Sequence, residues 1–203
     1  MADVLWEPTA ATSRDANITH YLEWLRSERG LSFGDYDTLW RWSVERLEDF
    51  WASIWDYYGV GAASGYGTVL ADRAMPGARW FTGARLNYAE QVLARATGER
   101  PALIARGEST ALHEVSWETL RGQVGALAEA LRERGVSKSD RVAAYVSNLP
   151  EAVVAMLAVT SIGAVWTACA PEFGVRSVLD RFAQAEPVAL VAVDGYRFCG
   201  RSY

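Results

Sequence analysis

Apolar side chains recur at Trp40, Val44, Leu47, Trp51, Ile54 and Tyr58, at steps of 4, 3, 4, 3 and 4. That rhythm keeps all six on one stripe, so the pattern predicts a single α-helix over residues 37–58. Arg41, Glu45, Glu48 and Asp49 fall off the stripe. A stripe this aromatic reads as a packing surface that other parts of the fold must cover. A shorter helix is predicted over residues 19–29, with Gly30 as its stop. Residues 80–90, WFTGARLNYAE, place two aromatics before a turn and a helix start. Gly83 permits the turn, Asn87 suits an N-cap, and Glu90 is the matching third residue of a capping box. The helix that follows is expected over residues 88–96, ended by Gly98. Trp80 and Phe81 stay in extended chain, so the segment reads as a clamp that docks an N-terminal arm on a following domain.

From Pro101 onward the rhythm changes to short apolar runs between helical stretches. Strands are expected over residues 102–106 and 112–116, joined by a hairpin turn over 107–110. Ser116 can cap a helix whose Trp117, Leu120, Val124, Leu127 and Leu131 share one face, with Gly135 ending it. A strand over 141–147 leads to Pro150, a favoured first helical residue, and a helix to Ile162 followed by Gly163. A strand over 165–170, a helix over 175–185 and a strand over 188–193 complete the run. This alternation implies a parallel sheet with right-handed crossovers. The helix opened by Pro150 carries no charge after Glu151, so it should be buried on more than one side. A parallel sheet of three strands also has open borders. The expected class is therefore α/β: a helical, aromatic-rich N-terminal arm over residues 1–97, then the start of a mostly parallel, helix-covered sheet over residues 98–203.

Composition sharpens that division. Seven of the nine tryptophans lie in the first 80 residues. The 203-residue chain is 50% apolar and 22% charged, which suits a packed domain and not a disordered one. Its net charge of -5, without a run of Lys and Arg, argues against nucleic acid or an anionic membrane as partner. Two cysteines, Cys169 and Cys199, and two distant histidines, His20 and His113, make neither a zinc pattern nor a disulfide framework. MADVLWEPTA lacks the basic start and apolar core of a leader. The apolar run over 152–159 is too short to span a bilayer, so a soluble, cytoplasmic chain is expected.

Candidate chemistry is sparse. GVGAASGYG, residues 59–67, has dinucleotide-like glycine spacing but follows a helix instead of a strand, so it reads as a flexible loop. No phosphate loop of the GxxxxGK[ST] kind occurs. GAVWTACAPEFG, residues 163–174, ends a strand just before a helix start, where open α/β sheets bind ligands. An ordinary strand–helix turn explains it equally. GYRFCGRSY, residues 195–203, sets Arg197 and Arg201 just past a strand end, where two guanidinium groups could hold phosphate. A surface loop with two solvated arginines is the alternative.

Taken together, LWEPT, YLEWL, DYDTLWRWSVERLEDFWASIWDYYGV, GARWFTGARLNYAE, VSWETL and NLPEAVVAMLAVTSIGAVWTACAPEFG resemble, in that order, the N-terminal part of acyl-CoA synthetases of the adenylate-forming superfamily. The resemblance lies in the acetyl- and acetoacetyl-CoA branch, and CAPEFG tilts it toward acetoacetate. It covers essentially the whole chain but about the first third of a family member. It implies ATP-dependent ligation of an acid to CoA, with acetoacetate, ATP and CoA as small-molecule substrates and Mg with a lysine stabilising phosphate charge. It further implies that the turn carrying Phe173 and Gly174 and the loop carrying Arg197, Gly200 and Arg201 contact CoA's nucleotide end. The family's phosphate loop, adenylate motifs, acid pocket and mobile C-terminal domain would all lie beyond Tyr203. The chain is accordingly expected to be a fragment, inactive alone, whose partner is the remainder of the enzyme. Readings left open are an acetyl- or propionyl-CoA synthetase fragment, a stand-alone CoA- or nucleotide-binding α/β module, and an interaction protein using the helix over 37–58.

Overall fold

The computed structural model describes residues 5–108 and 110–203. The start of the segment read as lacking a leader, residues 1–4, and Ser109 of the expected turn over 107–110 lie outside the described residues. The fold is mixed α/β, and the chain divides into two compact units, Met1–Arg85 and Leu86–Tyr203.

The first unit opens with α1 (Ala10–Arg14), capped by Thr9, and α2 (Asn17–Arg29), which ends on Gly30 at φ 65°. The helix expected over 37–58 is two helices, α3 (Tyr36–Glu45) and α4 (Leu47–Tyr57), separated at Arg46 with φ -116° and ψ 57°. The break resets the helical phase, so the six-residue stripe does not form. Trp40, Val44, Trp51 and Tyr58 are exposed. Instead Leu39, Trp42, Phe50, Ile54 and Tyr57 pack with buried Tyr21 and Leu25 of α2. Ser53 Oγ donates to Phe50 O at 2.6 Å, which leaves it to accept the Tyr21 hydroxyl at 2.5 Å. Burial pushes the Tyr21 hydroxyl above its ordinary pKa.

Two strands went unread in the sequence as a pair. β1 (Thr68–Asp72) and β2 (Arg79–Thr82) run antiparallel with Leu70 opposite Trp80. Trp80 and Phe81 pack on α4 of the same unit, Trp51 on Trp80 at 5.9 Å and Trp55 on Phe81 at 4.7 Å between ring centroids, and Phe81, expected in extended chain, has φ 42° instead. The loop over 59–67 carries backbone bonds from Ala63 N to Arg85 O and from Gly67 N to Thr82 O.

The second unit starts with α5 (Tyr88–Ala94), capped by Asn87. It ends before the expected Ala96, on Arg95, because its last turn tightens: Arg95 N bonds Val92 O, and the Arg121 guanidinium takes Leu93 O at 2.6 Å. Gly98 is therefore not its cap. β3 (Leu103–Ala105) and β4 (His113–Val115) form the antiparallel hairpin. α6 (Trp117–Glu133) is capped by Ser116 and closed at Gly135, φ 88°, with Val136 N bonded to Leu131 O. β5 (Arg141–Tyr145), α7 (Pro150–Ile162), β6 (Val165–Cys169), α8 (Val175–Ala185) and β7 (Ala189–Ala192) follow. A short hairpin of β8 (Arg197–Phe198) and β9 (Arg201–Ser202) ends the chain.

The parallel sheet has the order β6-β5-β7, with Ala144 opposite both Ala168 and Val191. The core lies between one sheet face and the helices: Val142 with Leu120, Val124 and Leu131 of α6 and Val154, Leu157, Ala158 and Val159 of α7. α7 is buried on more than one side, as its lack of charge predicts, packing on α5, α6 and β6. Val165 and Leu190, on the two border strands, are exposed.

Candidate functional site

All site geometry lies in the second unit, beyond the carboxyl ends of β5 and β6. There the strands stop and leave a cavity of about 650 Å3. Residues 146–148 after β5 and residues 170–172 after β6 form two of its walls, with Met156 of α7 and Trp166 of β6 behind them. Tyr196, Arg197 and Phe198 close it from the terminal hairpin. The walls are chiefly apolar, and the charged lining residues are one cation, Arg197, and one carboxylate, Glu172. Such a space suits a ligand with an apolar body, and Arg197 is the lining group that could meet an anionic end.

The turn after β6 is held from β5. The Tyr145 hydroxyl reaches Pro171 O at 2.6 Å and Phe173 O at 3.1 Å, and Phe173 N donates to Ala170 O at 3.1 Å. Phe173 is 39% exposed, and the Arg181 guanidinium sits 5.1 Å from its ring centroid. Gly174 is the N-cap of α8 with φ -61° and no side-chain cap bond. Neither its φ nor its surroundings demand glycine, since an added Cβ would meet nothing within 4 Å.

The hairpin departs from the simple loop read in the sequence. Cys199 at φ 50° and Gly200 at φ 74° form a two-residue turn with both residues left-handed, the geometry that twists correctly between antiparallel strands. At the other end Tyr196 and Tyr203 exchange backbone bonds of 3.1 and 2.9 Å, and their rings stack at 5.2 Å. Burial raises the Tyr196 hydroxyl pKa, with the neighbouring Tyr145 adding to it. Arg197 pairs with Ser202 and Phe198 with Arg201. Directly paired residues share a face and adjacent ones alternate, so Arg197 and Arg201 project from opposite faces. Phe198, which shares Arg201's face, also borders the cavity, so the cavity meets both faces of the hairpin; Arg197 is among its lining residues and Arg201 is not.

Sequence reasoning did not find Tyr145, Tyr196 or Glu108. The Glu108 carboxylate accepts from Cys199 N at 2.7 Å and from Gly200 N at 2.9 Å. Those amides, Gly200's first and then Cys199's, hold its carboxyl below the usual glutamate range, with Arg197 assisting. Among the described residues no group of three or more His, Cys, Asp or Glu could hold a metal ion. Among them, too, no helix is long and apolar enough to cross a membrane.

Comparison with known proteins finds the same overall fold in related chains. The acetoacetyl-coenzyme A synthetase of Rhizobium meliloti (strain 1021) is 40% identical over 197 residues, 97% of this chain and 30% of that protein. The acetoacetyl-CoA synthetase of Rattus norvegicus is 39% identical, over 98% of this chain and 30% of its own length. The solved acetoacetyl-CoA synthetase from Streptomyces lividans superposes with a TM-score of 0.94 at 48% identity, covering 100% of this chain and 32% of that one. The chain thus spans about a third of the length of the relatives it matches. The model for the acetyl-coenzyme A synthetase N-terminus matches residues 36–92, and that for the AMP-binding enzyme matches residues 90–200. The second match takes in the whole of the sheet, the cavity and the turn of the terminal hairpin, more than half of the sequence, and by it the chain belongs to the AMP-binding enzyme family.

Proposed function

We propose that the chain is the N-terminal portion of an ATP-dependent acetoacetate–CoA ligase. In that reaction an acetoacetate oxygen attacks the α-phosphorus of ATP and pyrophosphate leaves. The CoA sulfur then attacks the acyl carbon, AMP leaves, and the thiol proton passes to solvent. A poor electrophile is activated by a good leaving group. The observation that carries the reading is the match to the Streptomyces lividans enzyme, 48% identical over 100% of this chain. Residues 1–97 would be the helical arm, and residues 98–203 the beginning of the AMP-binding α/β domain.

Within this reading the chain contributes a CoA-binding surface for the nucleotide end. Arg197 on the cavity wall supplies charge, Phe173 an aromatic face, and Gly174 a place where a ligand can approach the backbone. Gly200 shapes the turn and Arg201 supplies a second cation on the same hairpin. Mg belongs with ATP in such a ligase. The described residues offer no cluster suited to it, and no step through Mg is assigned to this chain. The partners are small molecules and the remainder of the enzyme, in the cytoplasm, with neither nucleic acid nor membrane involved.

The match of residues 36–92 to the acetyl-coenzyme A synthetase N-terminus favours acetate as a second reading. Pyrophosphate release by the full protein, measured with each acid, separates the two. Acetoacetate should be the better substrate, and residues 1–203 alone should release none. Preference for acetate, or turnover by this chain alone, would overturn the proposal.

A further inference from the structure

The terminal hairpin is too small to hold itself. Its ladder contains two residues on each side, and an isolated two-stranded hairpin is marginal in water. It is therefore held at two further places, its own base and, from outside, its tip. At its base, Tyr196 and Tyr203 pair through their backbones and stack. At its tip the fastening comes from a residue 91 and 92 positions away: each oxygen of the Glu108 carboxylate accepts one of the two turn amides, Cys199 N and Gly200 N. Arg197 lies between these anchors and faces the cavity.

We propose that Glu108 is the positioning residue of this hairpin, holding its tip so that Arg197 is presented to an anionic group of the ligand in the cavity. This rests on the reading of that cavity as the place of CoA's nucleotide end. The chemistry selects a carboxylate. Two adjacent N–H groups aimed at one side chain are best met by the two acceptor oxygens of one planar group, and a charged acceptor bonds amides more strongly than a neutral one. Glutamine at 108 supplies one acceptor oxygen and would restore part of the hold; alanine supplies none. Turn amides of this kind can also bind a free anion. If that were their task, the carboxylate would compete with CoA, and removing it would strengthen binding.

The test measures two quantities on the full protein and its E108A, E108Q and R197A variants: CoA affinity by calorimetry, and hydrogen exchange at the Cys199 and Gly200 amides. In E108A both amides should exchange faster and the CoA dissociation constant should rise about tenfold, the scale of one charge-assisted hydrogen bond. E108Q should fall between E108A and the parent in both. R197A should weaken CoA without speeding exchange at the turn. CoA binding that is unchanged or tighter in E108A, with R197A weakened, overturns the positioning role while leaving the CoA reading intact. Unchanged CoA affinity in R197A overturns the CoA reading instead. In that event exchange decides for Glu108 alone, and amides as protected in E108A and E108Q as in the parent sink it.

Discussion

One amide side chain serves two helices: Asn87 Oδ1 accepts from Glu90 N at 3.1 Å, opening α5, while Asn87 Nδ2 donates to Thr160 O at 3.1 Å and Ser161 O at 3.0 Å, closing α7. The same residue is thus an N-cap and a C-terminal cap. Asn87→Ala should cost about 1 kcal/mol for the lost N-cap. A further loss of about 1–3 kcal/mol follows where a partly buried carbonyl goes unpaired. Thr160 O keeps the Gly163 N–H, so that second loss falls chiefly on Ser161 O. Asn87→Asp distinguishes the two roles. It keeps the acceptor for Glu90 N but removes the donor and sets a negative charge against the carbonyl end of α7, where the helix dipole repels it. Denaturant unfolding should show Asp at least as damaging as Ala; a harmless Asp would reduce Asn87 to an ordinary N-cap.

Leu157 of α7 is 1% exposed, whereas Leu179 of α8 is 62% exposed. The same truncation should therefore have very unequal consequences. Leu157→Ala opens a cavity between α6, α7 and the sheet and should cost about 2–5 kcal/mol. Leu179→Ala should change stability by no more than about 0.5 kcal/mol. Comparable shifts in the unfolding midpoints of the two variants would contradict the position of the core.

α7 was legible because every local signal agrees: Pro150 at its first position, no charge after Glu151, and Gly163 beyond its end at φ 82°. The break at Arg46 was not. No proline or glycine marks it, and the run of 4, 3, 4, 3 and 4 continues across it, so periodicity alone joined two helices that tertiary packing separates. β8 and β9 were missed because two-residue strands are too short to show alternation. Gly200 was the one local hint of their turn. The opposite facing of Arg197 and Arg201 follows only from the ladder register, which a loop reading lacks. Glu108 had no sequence signal at all, since its acceptors' partners lie 91 and 92 residues away.

The first unit carries a pH-dependent cap. Asp35 accepts from Thr38 N at 2.8 Å, and that bond, followed by the one with the Thr38 side chain, holds its carboxyl below the usual aspartate range. A carboxyl whose pKa is lower folded than unfolded stabilises the fold above its unfolded value and loses that contribution as pH falls through the folded value. Asp35→Asn keeps a capping oxygen that does not titrate over this range. Melting temperatures followed from neutral pH into the acid range should therefore decline less steeply for Asp35→Asn than for the parent chain. Superimposable profiles would show that Asp35 contributes nothing through its charge.

Arg197 and Arg201 should not be equivalent. Arg197 lines the cavity beyond β5 and β6, whereas Arg201, though paired with the cavity-lining Phe198, is not among its lining residues. If the cavity takes the anionic end of CoA, Arg197→Ala removes a charged hydrogen-bond donor from the ligand and should weaken CoA binding about tenfold. Arg201→Ala should have a smaller effect, through loss of long-range attraction only, and that effect should fade as salt is raised. Arg197→Lys tests geometry against charge: a point charge without the planar fork should recover part of the affinity and not all of it. Calorimetric titration with CoA at low and high salt measures all three. Equal losses for the two alanine variants would mean that both guanidinium groups reach the ligand.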